Sequence, residues 1–201
     1  MKQGKNVMHF TMELNEKYVG RRYDACFTGL AFQEVRKFPD QIREAIKDVT
    51  GKLFIKYFPM NTASALTLKN HLERVQLVTG LKIDLVVVDY ADLLRPFTIH
   101  KNSNSYEQGG DTYGELRSMA GELQVPVWSA SQANRSAHEE DIVSSLNVAD
   151  SYKKIMIGDF IMSLSRKTED KIAGSGRVSI LKSRFGSDGP MYPCAFDCSC
   201  G

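Results

Sequence analysis

The sequence predicts an α/β domain: a mostly parallel sheet flanked by helices, with antiparallel strands at its C-terminal end. Three observations predict it. Short apolar runs alternate with amphipathic helical stretches through the first two thirds of the 201 residues, as in chains of βα units. One of these runs, "IDLVVVDY" (83–90), is apolar almost throughout, as strands covered on both faces are. Strand-like runs then cluster at the end of the chain, which reads as an antiparallel edge.

The elements follow in order. "NVMHFTMEL" (6–14) is short, apolar and partly alternating, and predicts a strand ending near Thr11. Helical periodicity takes over in 15–30, with Asn15 placed to cap it. A second helix is expected over 38–53, with Asp40 near its start and Gly51 near its end. "LFIKYFP" (53–59) is a second strand, closed by Pro59. Residues 63–81 read as a third helix ending at Gly80, and 83–90 as the third strand. The polar stretch 95–111 reads as a long loop, of the kind that is often functional. A helix over 112–125 and a strand "PVWSASQ" (126–132) come next. Residues 133–157 hold another polar loop and a short helix. Residues 159–167 and 176–186 read as a hairpin joined through "TEDKIAGS", and 191–196 as a final short strand. No repeat, low-complexity segment or domain boundary stands out, so 1–201 reads as one partial domain.

Composition bounds the function. With 42% hydrophobic and 25% charged residues the chain has the make-up of a globular protein with a core. A net charge of +2 makes any basic surface local rather than general. No apolar run approaches the ~18 residues of a membrane span. "KQGKNV" after Met1 has no apolar signal region, so a reducing cytoplasm without disulfides is the expected setting. Cys26, Cys194, Cys198 and Cys200 are the four cysteines. The tail "CAFDCSC" has two readings, a partial zinc site or a strand carrying small residues. His9, His71, His100 and His138 supply no matching ligand motif, so the strand reading is carried forward.

Three predicted strands deliver polar residues at their carboxyl ends: Glu13, then Asp89, then Ser131 with Gln132. In a parallel sheet those ends line one edge, where ligands bind. A carboxylate there can hold magnesium, a second can activate water, and an amide can sense a phosphate. Each also fits a plain turn, where Asp is common. Lys182 and Arg184 in "LKSRFG" lie two apart on a strand and so share a face. Either they address one polyphosphate, or they are the basic residues of a guarded edge strand.

"LVVVDYADLL" resembles the Walker B strand of RecA-type ATPases. "PVWSASQANR" resembles the strand-plus-Gln motif of replicative DNA helicases of the DnaB family, and "ILKSRFGSDG" (180–189) a late segment of the same family. "VMHFTMELNEKYVGRRYDA" (7–25) resembles its segment with a strand ending on a catalytic Glu. The four motifs occur in family order across almost the whole chain, with a flavour of bacteriophage helicases.

The resemblance implies a RecA-like fold, ATP and Mg2+ as cofactors, single-stranded DNA as partner and a homo-hexamer as the complete form. A primase and a helicase loader are further implied partners, and no membrane is. By the same resemblance Glu13 orients or deprotonates the attacking water. Asp89 acts on magnesium, mostly through water. Gln132, with Ser131 beside it, senses the γ-phosphate. Lys182 and Arg184 reach the neighbouring subunit's nucleotide, Arg184 as the arginine finger. The loops after the Walker B and Gln strands, 95–111 and 136–148, would face the hexamer channel, with Arg95, Lys101 and Arg135 as candidate DNA contacts. His100, Ser136 and His138 lie in or beside these loops, but so do Glu139, Glu140 and Asp141, so no large basic groove is expected.

Other conspicuous residues read as structural. Trp128 is expected in a core strand, Met8, Met12, Met156 and Met162 as filler, and Arg21–Arg22 on a solvated helix face.

One family feature is missing from these residues, the phosphate-binding loop G-x-x-x-x-G-K-S/T. "GKN" (4–6) lacks the upstream Gly and the hydroxyl residue, and "TGK" (50–52) lies between a helix and a strand, in the reverse order. The chain therefore reads as starting just after the helix that bears the loop, with the first strand missing, poor autonomous stability and no hydrolysis by itself. Three readings follow: a piece of a phage-type replicative helicase; an interaction module completed by a partner; or another RecA-like ATPase, a recombinase or clock-type enzyme. The "SQANR" and "KSRFG" pair favours the helicase.

Overall fold

The structure is a computed structural model that describes residues 1–97, 105–133 and 152–196. The described residues divide into two compact units, the first comprising 1–97 and 115–130, the second 105–114, 131–133 and 152–196. Among the described residues no helix is long and apolar enough to cross a membrane.

The first unit is built on a four-stranded parallel sheet. Its strands are β1 (Val7–Thr11), β2 (Leu53–Tyr57), β3 (Leu85–Asp89) and β4 (Val127–Ser129), in the order β2-β1-β3-β4. β1 is central and buried along its whole length. In β3 only alternate residues, Val86 and Val88, are buried. The strand covered on both faces is therefore β1, not the more apolar 83–90 segment. Position in the sheet decides burial, and within β1 the Thr11 hydroxyl bonds the Leu14 backbone while His9 Nδ1 meets the Tyr23 hydroxyl.

Helices α1 (Glu16–Thr28), α2 (Pro39–Ile46) and α3 (Ala65–Thr79) belong to the same unit, as does α4 (Ser105–Leu123) from Glu115 onward. Asn15 caps α1 by accepting from the Tyr18 amide at 3.1 Å, as the sequence predicts. Ser64 and Thr67 form a capping box at the start of α3, and Gly80 ends it at φ 69°. On one sheet face Phe10 meets Phe58 and His71 of α3, with Leu68 and Leu72 fully buried. On the opposite face His9 meets Tyr23 of α1.

Two helix boundaries differ from expectation. α2 stops at Ile46, and Gly51 is not its terminator. Gly51 is buried, and a Cβ there would lie 2.2 Å from the Lys5 carbonyl oxygen, so it serves a close backbone approach. α4 starts at Ser105, so part of the predicted 95–111 loop is helical. The fourth strand is also shorter than read. Its ladder with β3 ends at the pair Val88 and Ser129, where the Ser129 hydroxyl itself takes the Val88 carbonyl. Trp128 lies on β4 and is 48% exposed, so it is not a core residue.

The second unit contains α5 (Tyr152–Ile157), β5 (Phe160–Ser165), α6 (Thr168–Ala173), β6 (Ser175–Ser183) and β7 (Met191–Ala195). β5, β6 and β7 pair antiparallel in that order and form a sheet of their own. The predicted hairpin and final strand are present. The connector, however, folds into α6, where Asp170 accepts from the Lys167 amide at 2.7 Å and pairs with Arg177. Alternation on β5 is inverted, with Phe160, Met162 and Leu164 exposed and Ser163 and Ser165 buried. Met156 and Met162 are thus exposed rather than filler, while Met8 and Met12 are buried as expected.

Candidate nucleotide site at the strand ends

The parallel sheet places the carboxyl ends of β1 and β3 side by side. Thr11 is in register with Asp89, and the Met12 amide donates to the Asp89 carbonyl at 2.9 Å. Past Thr11 the chain turns sharply. The Thr11 hydroxyl donates to the Leu14 carbonyl at 2.8 Å and accepts from the Leu14 amide at 3.2 Å. The turn sends Glu13 out into solvent next to the end of β3. The Tyr90 hydroxyl hydrogen-bonds with Glu13. The Tyr90 phenol is pushed up by desolvation first, then by the charges of Glu13, Asp92 and Asp89, so three carboxylates share this corner.

Asp89 is half-buried at the strand end. The turn after it is fixed by Ser129, whose hydroxyl donates to the Val88 carbonyl at 2.9 Å and accepts from the Ala91 amide at 3.0 Å. Sequence reasoning singled out Ser131 and passed over Ser129, Tyr90 and Thr11. The signal was present: Ser129 and Ser131 alternate onto one side of the same predicted strand, and only the observed end of the ladder separates them.

The donor set suits magnesium. Hard carboxylate oxygens are available, and magnesium typically takes one or two carboxylates, several waters and substrate phosphates rather than a full protein cage. Among the described residues no cluster of three or more His, Cys, Asp or Glu side chains is arranged around one point as metal ligands. Asp89 as a single carboxylate ligand, direct or through water, fits this pattern.

Ser131 and Gln132 lie beyond the end of β4, within the second unit, and both are exposed. Within that unit the buried Lys154 donates to the Ser131 hydroxyl at 3.2 Å and sits over the Tyr113 ring.

Lys182 and Arg184 do point to one place, as their spacing predicts. Lys182 Nζ donates to the carbonyls of Ile155 at 2.7 Å and Met156 at 2.9 Å. Arg184 donates to Asp159 Oδ1 at 2.7 Å and to the Met156 carbonyl at 3.5 Å. Both cations therefore converge on the carboxyl end of α5, where helix carbonyls favour positive charge.

Arg95 is exposed, and its amide donates to the Ala63 carbonyl at 3.0 Å. Lys101 and Arg135 lie outside the described residues, as do His100, Ser136, His138, Glu139, Glu140, Asp141, Cys198 and Cys200. Cys26 and Cys194 are free thiols. Arg21 and Arg22 are not simply solvated. Arg21 lies over the rings of Tyr18 and Phe32, and Arg22 over Phe32, at 5.0 to 5.5 Å.

Comparison with known proteins gives the family and the fold of the chain. The DnaB-like helicase C terminal domain family matches residues 1–197. A DnaB-like replicative helicase of Enterobacteria phage T4 is 26% identical over 194 residues, covering 91% of this chain and 40% of the relative. The chain thus spans two fifths of the length of that relative. A solved DnaB-like replicative helicase, described with its primase interactions, superposes with a TM-score of 0.78 at 20% identity, over 98% of this chain and 50% of that one. A solved ATPase domain gives 0.79 at 20% identity, over 98% and 73%. The RadB recombinase gives 0.53 at 16% identity, over 96% and 76%. These superpositions establish the RecA-like fold.

Proposed function

The chain belongs to the DnaB-like helicase C-terminal domain family, and we propose that it forms the nucleotide edge of a replicative helicase that hydrolyses ATP to move along single-stranded DNA. Asp89 holds magnesium, through water, beside the nucleotide phosphates. Bound magnesium neutralises charge on those phosphates. Glu13, steadied by the Tyr90 hydroxyl, orients the attacking water. Gln132 senses the γ-phosphate from the loop after β4. Lys182 and Arg184 serve the nucleotide of the next subunit in a homo-hexamer, and Arg95, Lys101 and Arg135 contact the strand. A primase and a loader are partners of the assembled form, which works on DNA in the cytoplasm.

The observation that carries this reading is the register of Thr11 with Asp89, which sets Glu13 and Asp89 at adjacent strand ends. The phosphate-binding loop is not among these 201 residues, so hydrolysis requires it to be present with them, from the same polypeptide or a partner.

Nucleotide titration tests this directly. The 201 residues alone should bind ATP weakly or not at all. Joined to a strand–loop–helix bearing G-x-x-x-x-G-K-S/T, they should gain magnesium-dependent turnover that single-stranded DNA stimulates, with unwinding from 5′ to 3′. Tight ATP binding by the 201 residues alone would contradict the role given to the loop. D-loop formation without unwinding would move the protein to the recombinases.

A further inference from the structure

Behind the end of β3 lies a part-buried pair that the nucleotide reading does not use. His9, in the middle of β1, is only 9% exposed. Its Nδ1 is 2.9 Å from the Tyr23 hydroxyl of α1, and the two rings meet edge-on at 82°. Its Nε2 is sealed from solvent and has no hydrogen-bond partner in the protein. Buried ring nitrogens are normally satisfied, so this one calls for a specific account.

The sheet register indicates where to look. His9 and Thr11 are two apart on β1 and share a face. Thr11 pairs with Asp89, and His9 pairs with Val87, so Asp89 stands on that same face, diagonal to His9. Diagonal neighbours on one face are about 7–8 Å apart, within reach of a ring or of a ring and one water. The charge of Asp89 acts on both members of the pair. Burial lowers the His9 pKa, with Asp89 opposing; burial, then Cys26 and Asp89, raise that of Tyr23.

The proton can sit on either nitrogen of a neutral imidazole. Were it on Nδ1, the bare Nε2 lone pair would lie in the field of the carboxylate. With the Tyr23 hydroxyl donating to Nδ1, Nε2 carries an N–H in that field, which is the favourable arrangement.

We propose that His9 is a positioning residue for Asp89: Tyr23 fixes the imidazole as the Nε2–H tautomer, and that N–H holds the Asp89 carboxylate through one buried water. This rests on Asp89 as the magnesium-facing residue. The anchor leaves the outer carboxylate oxygen to the metal side and keeps its orientation before nucleotide arrives.

The test is imidazole nitrogen NMR on the 201-residue chain at neutral pH. His9 should show a protonated Nε2 and an unprotonated Nδ1, with a cross-relaxation peak from the Nε2 proton to a long-lived water. Both readouts come from the unaltered protein. In Asp89→Asn the Nε2 proton resonance should shift while the tautomer persists, and in Tyr23→Phe the tautomer should become mixed. A protonated Nδ1, or a His9 signal indifferent to Asp89→Asn, would overturn the proposal. The two readings fail separately. Magnesium binding lost in Asp89→Asn with no change at His9 keeps the metal role and removes the anchor; a clear His9 response with magnesium binding intact does the reverse.

Discussion

Arg184 is bound to Asp159 twice. Its guanidinium donates to the Asp159 carboxylate at 2.7 Å, and its amide donates to the Asp159 carbonyl at 2.9 Å. The carboxylate therefore occupies the guanidinium that the family resemblance gives to a neighbour's phosphates. Both side chains are nearly half exposed, so the pair contributes little to stability.

The first prediction concerns that pair. Asp159→Ala should change the unfolding free energy by less than about 1 kcal/mol. In the hexamer with its phosphate-binding loop, Arg184→Ala should lower turnover by about 10³–10⁵-fold, as loss of an arginine finger does elsewhere. Denaturant titration and steady-state ATPase assays separate the two effects. Full turnover in Arg184→Ala would return Lys182 and Arg184 to a structural role as the cations on the end of α5.

Ser129 ties β4 to the turn after Asp89 through two hydrogen bonds. Ser129→Ala removes the partner of the Ala91 amide, a loss of about 1–3 kcal/mol where the freed group stays buried. Ser131→Ala takes from the buried Lys154 the hydroxyl it donates to, so it too should lower the unfolding midpoint. Comparing the two unfolding midpoints ranks the serines.

Gly51→Ala should destabilise the first unit. The new Cβ would stand 2.2 Å from a backbone oxygen that no side-chain rotation can clear. Overpacking of this kind costs about 1–3 kcal/mol or more. Gly29→Ala adds a Cβ that meets nothing but keeps a φ of 70°, so it should show a smaller, purely conformational loss.

Acid should weaken the fold before the carboxylates titrate. His9 and His71 both have pKa values lowered from the ordinary 6.5, His9 by burial and His71 by burial and then by Lys56 and Arg74. Unfolded imidazoles take up protons near 6.5 that the folded ones resist, so the unfolded state gains as pH falls from there to the folded values. Stability should be level above pH 6.5 and decline below it. His71→Phe should flatten part of that decline in urea midpoints measured across the range.

The legible parts of this fold are those fixed by local chemistry. Asn15 and Gly80 mark helix ends because capping needs only near neighbours. The edge formed by Glu13 and Asp89 was legible because a strand followed by a carboxylate is a short pattern. What was not legible depends on distant pairing. The burial of β1 over β3 follows from sheet order, and the role of Gly51 from Lys5, far off in sequence. Ser129 gains its role from Val88 and Ala91 across the sheet, and Trp128, expected in the core, is exposed because β4 is an edge strand. The inverted face of β5 has no counterpart in hydrophobic pattern alone.

The most direct measurement is magnesium-dependent ATP turnover of Asp89→Asn, in a protein that carries these residues together with the phosphate-binding loop, beside its circular dichroism and hexamer mass. The Asn side chain keeps the shape and removes the charge. The account predicts turnover lost by orders of magnitude with the fold and assembly unchanged. Turnover equal to the parent protein, with the same magnesium dependence, would contradict it, because Asp89 would then be only the first residue of a turn.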